Sequence, residues 1–141
     1  MKIIELQADR KAEKKVINGV EFLVSVSPYF FPERLECAYD PTEGTYAIAF
    51  RYLDNEPAAD SPAASDDLLD VNVGRHTGRV LSVVVHVDRN DIDRIGMMVT
   101  DHAPKALGSI RPSRPELIEN YRMATDVLRR HRLEFAACDS G

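Results

Sequence analysis

Four histidines, His76, His86, His102 and His131, are the side chains best suited to moving a proton or holding a metal near neutral pH. No two share the HxH or HExxH spacing that aims two imidazoles at one ion. In His86-Val87-Asp88 an imidazole and a carboxylate share one strand face, where the carboxylate could orient the ring. Ordinary polar residues at a strand end account for the same pattern. Asp101-His102 lies near Gly96, but neighbours in sequence do not align a carboxylate with a ring nitrogen. The stretch Gly74-Arg75-His76-Thr77-Gly78 offers glycines and donors to an anion, yet it lacks the lysine and the strand–loop–helix setting of a phosphate loop. It reads as a hairpin turn. There is no G-x-S-x-G elbow, and Cys37 has no base at a recognisable spacing. Cys37 and Cys138 are far apart and outside any CxxC pair, so each reads as a small buried or half-buried side chain. A disulfide would need the tail beside the Cys37 strand and an exported chain. The motifs therefore predict no catalytic, cofactor or metal site.

Charge is more informative. The 141 residues carry a net charge of −5, which opposes nucleic acid and anionic lipid. Asp54, Glu56, Asp60, Asp66, Asp67 and Asp70 fall in one stretch with no basic residue, whereas Arg111, Arg114, Arg122, Arg129, Arg130 and Arg132 cluster towards the C-terminus. The acidic six are the candidate contacts for a protein partner with a basic surface; a solvated loop would have the same composition. No apolar run reaches the length of a membrane span, and Met1-Lys2-Ile3-Ile4 is followed at once by Glu5, so a cytoplasmic chain is expected.

The elements that must position these residues read as one α+β domain over 1–141. Lys2 to Gln7 alternates as a short strand, and Asp9 to Lys15 is a charged turn or loop. Asn18-Gly19 supplies the two positive φ values of a type I′ hairpin between Lys15-Val16-Ile17 and Val20 to Ser27. Pro28-Tyr29-Phe30-Phe31-Pro32 stops that strand and plugs one end of the core, or else exposes a binding surface. Arg34 to Asp40 is a strand with Leu35, Cys37 and Tyr39 on one face. Thr45 to Leu53 reads as a central strand with Tyr46, Ile48, Phe50 and Tyr52 on one face, and Ala47 and Ala49 form a thin reverse face over which another layer could pack. A Pro- and Ala-rich excursion, a mobile acidic loop at about 54–67, leads into Leu68 to Val73 and then Arg79 to Asp88, whose buried face is Leu81, Val83, Val85 and Val87. Residues 90–112 read as a short helix near Asp91 with a break towards Pro104, or as an irregular strand. Ser113-Arg114-Pro115-Glu116 fits a capping box for a final helix with Leu117, Tyr121, Ala124, Leu128 and His131 in its apolar stripe. The fold expected is a twisted or strongly curled antiparallel sheet of about five to seven strands, with that amphipathic helix on one face.

Tyr39-Asp40-Pro41-Thr42-Glu43-Gly44-Thr45-Tyr46-Ala47-Ile48, with the later Gly78 to Val85 strand, resembles a small bacterial domain family of unknown function. Its unit opens with Tyr-Asp and ends in a glycine-led hairpin, and the resemblance covers about one-third of the chain. It implies no activity and no functional residue. The function expected is a non-enzymatic interaction or inhibitor module, such as an immunity or regulatory protein, acting as a monomer or small homo-oligomer. The alternatives are a small-molecule or enzymatic pocket between sheet and helix, using some of Tyr46, Tyr52, His86 and Asp88, and an oligomeric structural component formed by sheet-edge pairing.

Overall fold

The computed structural model describes residues 1–7, 13–24 and 29–135. Of the turn or loop expected at Asp9 to Lys15, Asp9 to Ala12 lie outside the described residues, as do the strand end at Ser25 to Ser27, Pro28 and the tail carrying Cys138, whereas Glu13 to Lys15 belong to a strand.

The chain is α+β, with strands β1 (Lys2–Glu5), β2 (Glu13–Ile17), β3 (Val20–Val24), β4 (Arg34–Asp40), β5 (Thr45–Arg51), β6 (Ala64–Ser65), β7 (Leu69–Val73) and β8 (Val80–His86). A 3₁₀ turn, Arg89–Arg94, leads into helices α1 (Ile95–Ser109), α2 (Glu116–Arg130) and α3 (Arg132–Phe135). Six strands form an open antiparallel sheet in the order β1-β4-β5-β8-β7-β6, and β2 and β3 form a separate two-stranded sheet. Asn18 and Gly19 have φ of 53° and 79°, as their type I′ turn requires.

Strict alternation in β4 and β5 sorts their side chains into two faces. Leu35 lies opposite Phe50, Cys37 opposite Ile48 and Tyr39 opposite Tyr46; on the other side of β5, Ile48 meets Val83 and Tyr46 meets Val85. This inner face and the helices enclose the core, in which Ile48, Tyr46, Val83, Val85 and Leu128 are fully buried. Phe31 is buried at the sheet end and Phe30 packs beside it, while Tyr29 remains 43% exposed.

Local geometry departs from the expected pattern in three places. The register shift between Asn72 and Val73 pairs Asn72 with Ser82 and Val73 with Val80, leaving Leu81 as the extra residue of a bulge. Val80 is therefore the fully buried side chain, and Leu81 only half-buried. Second, the chain from Arg89 is helical: α1 runs for 15 residues straight through Pro104. Proline removes one backbone bond, but Val99, Ala103, Ala106 and Leu107 are buried and hold the helix on the sheet. Gly96 opens α1 because the backbone of α3 crosses there; a Cβ would stand 2.2 Å from the Arg132 carbonyl oxygen. Third, Ser113 and Glu116 form no capping box. The N-cap of α2 is Pro115, without a side-chain cap hydrogen bond, and tertiary anchoring through Leu117 and Asn120 replaces it.

Phe50 fills the inner face at 2% exposure. Replacing it with Ala should lower stability by about 3–5 kcal/mol, the usual range for emptying a buried aromatic site. Equilibrium urea denaturation will measure this, and a loss below about 0.5 kcal/mol would remove Phe50 from the core.

Candidate functional site

The residues with most chemical capacity converge on Arg79, which opens the chain into β8 and whose side chain is 1% exposed. Its Nη1 donates to the Tyr29 carbonyl at 2.7 Å and its Nη2 to the Asp54 carbonyl at 2.6 Å. The Asp54 carboxylate lies 3.4 Å from Nη1. Arg79 Nε stands 3.0 Å from Glu56 Oε2, yet its N–H is not aimed at that oxygen, so the contact is ionic rather than hydrogen-bonded. The guanidinium carbon sits 4.9 Å from the Tyr29 ring centroid and 4.3 Å from that of Tyr52, placing the cation against two aromatic rings.

Glu56 completes this cluster from the acidic excursion. Its side chain is only 7% exposed and accepts from the backbone N–H of His76 and Thr77, at 2.9 and 3.1 Å, and from the Thr77 hydroxyl at 2.6 Å. Desolvation pushes the carboxyl up, but the bonds from Thr77 and His76 and the Arg79 charge outweigh it and hold Glu56 below its ordinary range. Gly74 is required here, since a Cβ on it would stand 2.1 Å from Glu56 Oε1. Alongside, Asn120 of α2 accepts from Val80 N–H at 2.9 Å and donates to the Phe30 carbonyl at 2.7 Å and the Tyr52 hydroxyl at 3.0 Å. The Tyr52 hydroxyl donates to the Val80 carbonyl, and burial pushes its pKa well up. Together these contacts lock three loops to α2.

The acidic residues singled out from sequence take different places. Asp60 pairs with Arg75 at 2.6 Å and is 90% exposed, and Asp54 is 58% exposed. The Asp66 carboxylate accepts from Leu68 and Leu69 N–H, bonds that hold it below its ordinary range, with smaller help from His102 and His86. Asp67 is exposed. Asp70 accepts from the Ser65 hydroxyl at 2.5 Å and lies 3.1 Å from His86 Nε2. Glu56 alone is withdrawn from solvent. The excursion itself is laced to β7 and its loop: Ala58 bridges Gly74, and the N–H groups of Ala59 and Ala63 donate to Val73 and Val71.

The other candidate constellations do not assemble. His86 pairs with Asp70 across the sheet rather than with Asp88, which occupies the N-cap position of the 3₁₀ turn without a side-chain cap hydrogen bond. Ser65, Asp70 and His86 have the carboxylate between hydroxyl and ring, so the imidazole is not placed to take the serine proton. Tyr46 donates to the Phe135 carbonyl inside the core, on the face opposite His86. Among the described residues no group of three His, Cys, Asp or Glu side chains converges to hold a metal. Sequence reasoning missed Arg79 and Asn120 and dismissed Thr77 as part of a hairpin turn; the signal for Arg79 was an arginine preceded by glycine and entering an apolar strand.

Replacing Glu56 with Gln tests the cluster. The folded carboxyl has its pKa depressed, so its ionisation stabilises the fold above the unfolded value, about 4.5, and that contribution disappears as pH falls through the folded value. The wild type should exceed Glu56→Gln by about 2–4 kcal/mol near neutral pH, with the margin shrinking below about pH 4.5. Urea denaturation across pH will show it; a margin independent of pH would mean that ionised Glu56 does not brace the loops. No protein-family model, curated protein or solved structure matches this chain.

Proposed function

We propose that this chain is a non-enzymatic interaction or inhibitor module, of an immunity or regulatory kind, that presents an acidic edge to a basic protein partner in the cytoplasm. The observation that carries this reading is the anchoring of exposed carboxylates on a laced segment. Glu56 and the Ala58, Ala59 and Ala63 backbone contacts tie the excursion down, and Asp60 and Asp67 remain exposed on it. Of the six carboxylates between Asp54 and Asp70, Asp54 and Glu56 lie against Arg79, Asp60 against Arg75 and Asp70 against His86, so among the described residues the edge keeps a net negative field. A fixed array of that sign steers a basic surface and sets its orientation without a catalytic pocket. Among the described residues no helix is long and apolar enough to cross a membrane.

Asp60 and Asp67 are the carboxylates to neutralise, because Glu56, Asp66 and Asp70 also hold local structure. The double variant Asp60→Asn, Asp67→Asn should keep its stability within about 1 kcal/mol. Association with the partner captured by affinity pull-down should slow by about tenfold at low salt, with a flatter salt dependence. Stopped-flow rates at two ionic strengths decide the matter, and unchanged rates would remove this edge from the binding face.

A further inference from the structure

The helices cover one face of the six-stranded sheet, and the pairing register defines what the other face presents. Ala38, Ala47 and Val84 lie side by side across β4, β5 and β8, and in the next row Ile3, Glu36, Ala49 and Ser82 lie across β1, β4, β5 and β8. Ile3 is 51% exposed, Ala38 is exposed, and Ala47, Ala49 and Val84 are half-buried. A sheet face left to water ordinarily alternates to polar side chains. Here the middle of the face keeps a small apolar patch, Ala38, Ala47, Val84, Ala49 and Ile3, interrupted by Glu36 and Ser82 and ending at Asp70 and Asn72 on β7.

The ends of the same face are charged. Arg34 and Arg51 face each other at one end beside Glu5, with Glu36 bridging both arginines at 3.1 and 2.8 Å. Asp40, Thr45 and His86 form the other end, with Asp70 one row in. An apolar centre within a polar rim is the anatomy of a protein interface.

The geometry points to a second copy of this chain as the occupant, packed sheet on sheet about a two-fold axis that lies in the interface and crosses the strands. That axis reverses strand direction, so Arg34 and Arg51 of one copy stand over the Asp40 end of the other, while Ala47 lies near Ala49 of its mate. An axis along the strands would instead lay Asp40 and Asp70 against an equally acidic end. Alanine opposite alanine lets the sheets approach at least as closely as the usual spacing of about 10 Å. Four strands about 4.8 Å apart and four side-chain rows about 6.7 Å apart give a face of roughly 400 Å² per copy. Two such faces hide about 800 Å² in all, below the size of a standard specific complex, so the pair is weak and reversible. Because Glu36 already answers both arginines, charge sets the orientation and the apolar rows supply the affinity.

Sedimentation equilibrium of the full chain should show a monomer–dimer equilibrium with Kd of about 10 µM. Ala47→Arg, and separately Ala38→Glu at an exposed position, should each weaken the dimer at least about tenfold. Far-UV circular dichroism and urea midpoints check that both variants fold. Arg34→Glu and Asp40→Lys should each weaken pairing, and the double variant should restore it. A wild type that stays monomeric at the highest attainable concentration overturns the proposal, as does a dimer that survives both alanine variants. A double charge variant no tighter than the singles overturns the axis.

Discussion

Burying the Arg79 guanidinium is the constraint around which the rest of the molecule is arranged. Taking such an ion out of water costs several kcal/mol, and only close opposite charge with well-made hydrogen bonds offsets it. The offsetting groups come from two separate stretches of the chain: the Tyr29 carbonyl precedes β4, while the Asp54 carbonyl and the Glu56 carboxylate both lie in the excursion after β5. The Tyr29 and Tyr52 rings add their faces. The exchange of water for protein contacts at best breaks even, so Arg79 contributes conformation more than stability. With the guanidinium in place, the loop after β5 has one arrangement, and the excursion must run back along β7.

Asn120 extends the same constraint to the helical layer. It is 1% exposed and bonds three partners at once, from β8, from the loop before β4 and from the residue after β5. An amide left unpartnered at such depth would cost a full desolvation penalty, so α2 can sit in only one register over the sheet. That explains why α2 begins firmly without a side-chain cap. Leu117 packs within reach of Gly78, and Tyr121 donates to the Gly78 carbonyl, so the first turns are held by the loop before β8.

The parts of this fold legible in the sequence are those governed by short-range rules. Asn18-Gly19 fixes a hairpin locally, and the alternation of Tyr46, Ile48 and Phe50 marks a strand with one buried face, as the open six-stranded sheet bears out. The bulge at Leu81 is not legible, because Arg79 to Asp88 alternates convincingly in either register and only pairing with Val73 decides between Val80 and Leu81. Pro104 conceals α1 for a related reason: its local penalty is visible, while the burial of Val99, Ala103 and Leu107 that overrides it is not. At the candidate site the limit is sharper. Glu56 lies in a Pro- and Ala-rich stretch typical of solvated loops, and its partners Thr77 and Arg79 are more than twenty residues away.

Anchoring also bears on how the acidic edge can act. A loop ordered only on contact would lose backbone and side-chain freedom at that moment, which reduces affinity. Here Pro57 and Pro62 already narrow the unfolded choices, Asp66 closes its own turn onto Leu68 and Leu69, and Ala58 to Ala63 lie along β7. Most of the ordering is therefore completed during folding, by contacts that no partner needs to supply. The charges follow the same division of labour: Glu56, Asp66 and Asp70 are engaged inwardly or along the sheet, leaving Asp54, Asp60 and Asp67 to shape the outward field. Because β6 is the last strand of the sheet, that field stands at its margin, away from the alanine rows of β4 and β5.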